Sequence, residues 1–248
     1  MKMKEEEIIL NTKDGLLDCR TFFKNTEKFP PIIFYMDAPA IREELRVMCR
    51  KIAANGYNVI LPNLFYRHGT EGNYPFDQIN YKTKKEELKK MLDTMNATKN
   101  SMIIEDTKFI LKYIEDRIEK SNKVGIVGYC MSGRFVVSVA AKFNNQIRAS
   151  ASFYGVDIAT NKKDSPHFLA KNIKGELYLA FAEHDIWVPK KILNIIISTF
   201  SNLKIKSKID IYQGTDHGFA FPERNTYNEK AAFRHWKKLI RLFNNNLK

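Results

Sequence analysis

A cysteine, an aspartate and a histidine in this sequence are of the types that together perform nucleophilic catalysis. Cys130 lies in the segment GYCMSG, between Gly128 and Gly133, where a run of β-forming residues gives way to a helical pattern. Glycines at such a corner permit a strained backbone and a close approach of strand and helix. The segment resembles the nucleophile elbow G-x-S-x-G, with Ser132 in place of the second glycine. We predict that Cys130 is a nucleophile; the alternative is a small buried hydrophobic residue.

Two further residues supply the acid–base group and the orienting group that a cysteine nucleophile needs. His217 lies in the glycine-bracketed loop QGTDHGF and can take the thiol proton and later give it to a leaving group. Asp185, in LAFAEHDIWVP, can orient the imidazole, although aspartate is also common as a helix cap or turn residue. Asp216 is adjacent to His217, and an adjacent residue rarely reaches its neighbour's Nδ1 atom, so we predict Asp185 as the orienting residue.

The helix that follows Cys130 adds two predictions about the same corner. The positive end of its dipole would favour a thiolate at Cys130. The backbone amide of Met131 would point at the oxyanion that develops during attack on a carbonyl group.

The elements that must position these residues alternate along the chain. Six short apolar runs predict strands: 31–36, 57–63, 124–129, 147–155, 176–183 and 208–214. Six longer amphipathic runs predict helices: 40–56, 83–96, 101–120, 131–142, 189–201 and 226–244. The first 23 residues predict an antiparallel pair with Asp14-Gly15 as its turn. The alternation predicts an α/β fold with a mostly parallel sheet, helices on both faces, and a site at the carboxyl ends of the strands.

Composition limits the class of protein and its compartment. The chain has 248 residues, of which 44% are hydrophobic, and no linker divides it, so we expect one domain over residues 1–248. The net charge is +13, but lysines mix with glutamates, as in KTKKEELKK, which argues against a nucleic-acid partner. The cysteines, Cys19, Cys49 and Cys130, are odd in number and widely spaced. With no secretory signal or membrane-spanning run, they predict a cytoplasmic protein without a membrane partner.

Five segments together resemble the dienelactone hydrolase family, from about residue 30 to 243: GYCMSG, FAEHDIWVP, DHGFAFPER, GYNVILPNLFYRHG and AAFRHWKKLIRLF. The resemblance implies an α/β-hydrolase fold and the opening of lactones such as carboxymethylenebutenolide. It also implies that no metal or organic cofactor is used. Catalytic roles fall on Cys130, Asp185 and His217.

The resemblance implies further site residues. In FYMDAPA, Asp37 takes the position of an acid that activates the thiol, usually a glutamate, and the amide of Ala38 is the second oxyanion donor. Arginines hold the substrate carboxylate in this family because they pair with it in bidentate fashion. Phe221 stands where the family has an arginine after the histidine, and Arg67 and Arg224 are candidates to replace that arginine. We expect all three residues to bind substrate.

The sequence thus predicts an enzyme, active as a monomer or homodimer, that hydrolyses a small activated ester or enol lactone through an acyl-thioenzyme. An alternative from another class is a basic, non-catalytic binding protein for nucleic acid or an acidic partner, with a decayed triad; the net charge of +13 motivates it. A third interpretation makes Cys130, Asp185 and His217 zinc ligands, since all three are ligand types.

Overall fold

A computed structural model describes residues 3–24, 29–117 and 123–248 of the chain. They fall into two units, Met1–Lys120 and Ser121–Lys248. The expectation of one domain over residues 1–248 stays a prediction. The last three residues of the helix predicted over 101–120 lie outside the described residues.

The first unit opens with the predicted antiparallel hairpin. Strand β1 (Met3–Thr12) pairs with β2 (Gly15–Lys24) along its full length. Gly15 has φ +133°, a conformation that L side chains rarely adopt, which explains a glycine at this turn. Strand β4 (Asn58–Pro62) pairs antiparallel with β2 and parallel with β3 (Pro31–Tyr35). Every residue of β3 and β4 is buried, as their continuous apolar runs predict.

Three helices complete the first unit: α1 (Glu43–Ala54), α2 (Lys85–Ala97) and α3 (Asn100–Arg117). In α1 the buried residues recur at helical spacing: Leu45, Met48, Cys49, Ile52 and Ala53. The apolar face of the amphipathic pattern is therefore the packed face.

The second unit is built on four parallel strands. They pair in chain order and are β5 (Val124–Tyr129), β6 (Ile147–Phe153), β7 (Glu176–His184) and β8 (Ser207–Asp216). Its helices are α4 (Gly133–Lys142), α5 (Pro166–Leu169), α6 (Lys190–Asn202) and α7 (Glu229–Leu247). Parallel strands joined through helices confirm the predicted α/β class.

Three details of the second unit differ from the sequence prediction. The helix predicted from residue 131 begins as a 3-10 turn, Cys130–Ser132, before α4. Helix α7 starts at Glu229 rather than 226, because the Asn228 side chain accepts a hydrogen bond from the Ala231 amide and caps it. The short helix α5 was not predicted, since four residues carry too little periodicity to detect.

Candidate active site

Cys130 occupies the strained corner that the elbow motif predicts. It follows the fully buried strand β5 and has φ +54°, in the left-handed region. Its carbonyl oxygen accepts a hydrogen bond of 3.0 Å from the Val156 amide, which ties the corner to the segment after β6. Strain of this kind persists only where the surrounding structure holds it. Cys130 is partly exposed, whereas Cys19 and Cys49 are buried, so it is the most accessible of the three thiols.

Glycines flank the corner because strand and helix approach too closely for a side chain. A Cβ atom on Gly133 would lie 2.2 Å from Gly155 Cα, and one on Gly128 would lie 2.8 Å from a Val136 methyl group. Ser132, which departs from the G-x-S-x-G pattern, has φ −80° and ψ −5°, an ordinary helical conformation. No glycine is needed at that position, so the serine is compatible with the elbow.

Asp185 and His217 meet because they follow neighbouring parallel strands. His184, at the end of β7, pairs with Asp216, at the end of β8, so the next residue of each strand begins a loop at the same edge. His217 Nδ1 lies 2.8 Å from Asp185 Oδ2. Side-chain exposure is only 9% for His217 and 1% for Asp185.

The second carboxylate oxygen of Asp185 is held by its own loop. Oδ1 accepts hydrogen bonds from the Trp187 amide at 2.9 Å and the Val188 amide at 3.3 Å. One oxygen thus fixes the loop while the other faces the imidazole. The turn-residue and orienting interpretations of Asp185 are therefore compatible, since the two oxygens are used separately.

Burial by itself lowers the pKa of His217, but the charges around the ring outweigh it. Charge interactions and hydrogen bonds with Cys130 and with Asp185 together raise the pKa of His217 to about 9. His217 Nε2 is buried and has no partner of good hydrogen-bonding geometry within the described residues, although Cys130 acts on the ring by charge and as a hydrogen-bond partner. Hydrogen bonds of catalytic residues are often long or poorly aligned in unliganded sites and tighten when substrate binds.

Aromatic rings that the sequence reasoning missed surround His217. The ring centroid of Tyr154 lies 4.9 Å from that of His217, and Trp187 lies 6.4 Å away on the exposed side. Tyr154 has φ +40°, so the backbone after β6 is strained beside the imidazole. Trp187 follows Asp185 by two residues and is 48% exposed, and that adjacency was the available sequence signal.

Arg134 is a second residue that the sequence reasoning missed. It follows Cys130 by four residues, about one helical turn, and is 7% exposed. Burial lowers the pKa of Arg134, while Asp157 and Cys130 oppose the shift by their negative charges. Its Nη1 lies 3.1 Å from Asp157 Oδ2. A buried guanidinium therefore lies within the electrostatic range of the Cys130 sulfur.

The rival polar residues of the same loops have other partners or face solvent. Glu183 accepts a hydrogen bond of 2.6 Å from the Gly214 amide, and His184 and Asp216 are exposed. His235 Nε2 lies 2.8 Å from the Tyr129 hydroxyl in the core. These contacts leave His217 and Asp185 as the pair with the geometry of a catalytic couple.

The described residues give no geometric support to a metal centre. Among residues 3–24, 29–117 and 123–248, no group of three or more His, Cys, Asp or Glu side chains is arranged to hold an ion. Within the same residues, no helix is both long and apolar enough to cross a membrane.

Comparison with known proteins decides the family. The model of the dienelactone hydrolase family matches residues 17–247. This chain belongs to the dienelactone hydrolase family. It is therefore a hydrolase of carboxylic esters or lactones, acting on a small-molecule substrate.

Relatives in this family span most of the chain. A carboxymethylenebutenolidase-like protein of Synechocystis sp. is 28% identical over 227 residues, 89% of this chain and 88% of that protein. The human carboxymethylenebutenolidase homolog is 30% identical over 181 residues, 72% of this chain and 65% of that protein. A dienelactone hydrolase-like structure from Klebsiella pneumoniae superposes with a TM-score of 0.85 at 19% identity, over 98% of this chain and 99% of that one. The fold is thus the predicted α/β-hydrolase fold.

Asp37 and Ala38, the two site residues that the family resemblance implied in the first unit, are both buried, and Asp37 is paired with an arginine. Asp37 is fully buried, and its two oxygens accept hydrogen bonds from Arg42 at 2.6 and 3.2 Å. The sequence reasoning missed this arginine, which follows Asp37 by five residues. Ala38 is 3% exposed. Activation of the thiol by Asp37 and oxyanion binding by Ala38 stay predictions.

Arg67, which we predicted to bind substrate, already forms hydrogen bonds with two carboxylates of the protein. Its guanidinium donates to Asp106 at 2.8 Å and to Asp14 at 2.7 Å. Burial lowers the pKa of Arg67, but hydrogen bonds to Asp106 and Asp14 raise it above its usual range overall. These contacts do not favour a substrate role, because a substrate carboxylate would have to compete with two protein carboxylates.

Arg224 and Phe221 pack within the loop that carries His217. A Cβ atom on Gly218 would lie 2.6 Å from Arg224 Cδ, so the arginine covers the glycine that follows the histidine. The Arg224 guanidinium carbon lies 5.2 Å from the Phe221 ring centroid. The Phe221 ring is fully buried, so direct contact with a substrate is not favoured. Substrate binding by Arg224 stays a prediction, as does oxyanion binding by the amide of the buried Met131.

Proposed function

We propose that this dienelactone hydrolase family member opens small activated esters or enol lactones through a triad of Cys130, His217 and Asp185. The observation that carries the proposal is the geometry of the histidine. Its Nδ1 bonds Asp185 at 2.8 Å, and Cys130, partly exposed at a strained elbow, acts on the same ring through charge and as a hydrogen-bond partner. Relatives named as carboxymethylenebutenolidases support an enol lactone as the substrate class.

The acylation step follows from the charge state of the site. With a pKa of about 9, His217 is protonated at neutral pH. The proposed nucleophile is the Cys130 sulfur in its thiolate form, the form in which cysteine attacks carbonyl carbons. The sulfur attacks the carbonyl carbon, and the amides of Met131 and Ala38 are the proposed donors to the oxyanion. The C–O bond then breaks, and the leaving oxygen takes the proton of His217 Nε2.

Deacylation reverses the proton flow. Neutral His217 takes a proton from water, and the resulting hydroxide attacks the thioester carbonyl. The C–S bond breaks, the acid product leaves, and the thiolate–imidazolium pair is restored. Because a thiolate is itself a good leaving group, attack on an unactivated ester or amide tends to reverse. Activated acyl groups such as enol lactones therefore suit this site best.

Substitution of the nucleophile tests this proposal. Cys130→Ala should lower turnover of p-nitrophenyl acetate and of an enol lactone by at least about 10³-fold, because no acyl-thioenzyme can form. Cys49→Ala, a matched change at a buried thiol, should keep turnover within about threefold. Iodoacetamide should label Cys130 alone in the native protein. Equal turnover by Cys130→Ala and the wild type would overturn the mechanism.

Three further expectations concern the compartment, the oligomeric state and the cofactor requirement of the protein. All three cysteines are free thiols, which supports a reducing, cytoplasmic compartment. We propose a monomer or a homodimer that needs no metal or organic cofactor. Sedimentation of the purified protein and elemental analysis test these statements, and a stoichiometric metal required for turnover would contradict the last one.

A further inference from the structure

A basic hollow lies between the starts of β7 and β8 and the later turns of α7. Its volume is about 210 Å³, and it is lined by Glu176, Tyr178, Lys208, Lys238, Arg241, Leu242 and Asn245. All of these residues belong to the second unit. Three of its four charged lining residues are cations, Lys208, Lys238 and Arg241, against the one carboxylate Glu176. An excess of positive charge is typical of a site for an anion.

Cationic side chains outnumber carboxylates in and around the basic hollow. Two carboxylates, Asp210 and Glu176, form ion pairs with these cations. Asp210 lies 3.2 to 3.9 Å from three cationic groups, those of Lys208, Arg234 and Lys238. Glu176 pairs with Lys206 at 2.5 Å and is influenced by the charge of Arg241. Among the residues that the structure describes, five cations therefore share these two carboxylates, an excess of three positive charges.

The excess of positive charge is clearest where two lysines, Lys208 and Lys238, are neighbours. Burial lowers the pKa of Lys238, and the neighbouring Lys208 ammonium group lowers it further. Arg241 forms no salt bridge with any residue that the structure describes. Like charges held together in a concave surface repel each other, and an anion seated among them would relieve that repulsion.

The basic hollow is separate from the proposed catalytic site. Lys208 is the second residue of β8, and His217 directly follows the end of that strand. Nine residues of extended chain span about 30 Å. A ligand in the basic hollow therefore cannot contact the triad, and its binding does not depend on the chemistry proposed for Cys130.

We propose that the basic hollow binds a phosphate dianion, either inorganic phosphate or the phosphoryl group of a small phosphorylated molecule. A dianion compensates the excess charge better than a monoanion does. The Arg241 guanidinium can donate to two phosphate oxygens at once, and the lysine ammonium groups can neutralise the rest. The volume of about 210 Å³ suits a small ligand rather than a polymer strand.

Titration calorimetry with inorganic phosphate and with pyrophosphate, at about 50 mM NaCl, tests the proposal. The double variant K238A/R241A should bind each ligand at least about tenfold more weakly than the wild type. The matched control K230A/K237A removes the same charge from the same helix at exposed positions outside the hollow and should stay within twofold. Alanine favours helix, so both variants should fold, which far-UV circular dichroism verifies. Cys130→Ala should bind phosphate as the wild type does.

Three outcomes would overturn the proposal. One is equal binding of phosphate by the wild type and K238A/R241A. Another is an equal loss in K230A/K237A, which would indicate general surface charge rather than a site. The third is tight binding of a single-stranded oligonucleotide, measured by fluorescence anisotropy, without binding of phosphate or pyrophosphate. A nucleotide monophosphate that competes with phosphate would support a phosphorylated small molecule as the source.

Discussion

His217 has a different neighbour at each side of its ring, and the two act in the same direction. Asp185 bonds Nδ1 at 2.8 Å, and Cys130 also acts on the ring, through charge and as a hydrogen-bond partner. Burial opposes them, yet the pKa of His217 still rises to about 9. The imidazole is therefore charged across the neutral range and serves first as an acid. Its proton is needed only when the leaving group is a poor one.

The pH profile should accordingly depend on the leaving group. For an alkyl ester or alkyl lactone, kcat/KM should fall above about pH 9, because neutral His217 has no proton to donate to the alkoxide leaving group. For a p-nitrophenyl ester, whose leaving group departs as a stable anion, this alkaline decline should be weak. Stopped-flow rates over pH 6–10.5 check both profiles. Identical alkaline declines for the two substrates would contradict the acid role of His217.

The choice between Asp185 and Asp216 as the orienting residue can be tested directly. Asp185→Asn should lower kcat/KM by about 10²–10⁴-fold, since the amide neither orients nor stabilises the imidazolium. It should also move the alkaline decline to lower pH, because the carboxylate holds the pKa of His217 up. Asp216→Asn, an equal change at the exposed neighbour of His217, should cost less than about threefold. The reverse order of the two effects would reassign the orienting residue.

At the scale of elements, two pairs of segments position the residues of the proposed site. Strand β5 and helix α4 meet at Cys130 with almost no space between Gly133 and Gly155. Strands β7 and β8 end side by side, with His184 opposite Asp216, and so deliver their loops to one edge. The elbow thus depends on close packing, whereas the Asp185–His217 pair depends on strand register.

Replacing a glycine by alanine can destabilise the protein through a steric clash or through backbone strain, and two glycines allow these effects to be compared. Gly133→Ala should lower the free energy of unfolding by about 3 kcal/mol, because its Cβ atom would lie 2.2 Å from Gly155 Cα. Gly214→Ala is the matched control, since its Cβ atom has open space and only φ +65° opposes it. That strain should cost about 1 kcal/mol. Urea unfolding followed by far-UV circular dichroism measures both, and equal costs would argue against the close packing.

At the scale of the whole molecule, much of the charge is paired locally. Lysines meet carboxylates one helical turn away: Lys89 with Asp93, Lys90 with Glu86, and Lys108 with Glu105. Exposed pairs of this kind contribute little to stability, but they break up a continuous cationic surface. The net charge of +13 is therefore no argument by itself for the alternative of a nucleic-acid-binding protein with a decayed triad.

The prediction of one domain over residues 1–248 has its own test. If the chain is one cooperative domain, far-UV circular dichroism and tryptophan fluorescence should report the same urea midpoint. Both tryptophans, Trp187 and Trp236, lie in the second unit, while the circular dichroism signal reports helices of both units. Two resolved transitions, or midpoints that differ between the probes, would instead indicate two domains.

The sequence by itself predicted the candidate catalytic residues and determined the order of the main strands and helices. Cys130, Asp185 and His217 each follow an apolar run, and local periodicity is enough to predict strands and helices. The strand-end rule then predicts one shared edge. The boundaries of elements differ from the prediction by a few residues. Helix α7, for example, begins at Glu229 because the Asn228 side chain caps it.

Only the tertiary structure decided which partners these residues have. Ser132 is acceptable at the elbow because its φ is −80°, and Arg67 is occupied because Asp106, 39 residues away, faces it. The basic hollow joins Lys208 to Arg241 across two elements. Local propensity carries no information on such contacts, since they depend on how distant segments pack against one another.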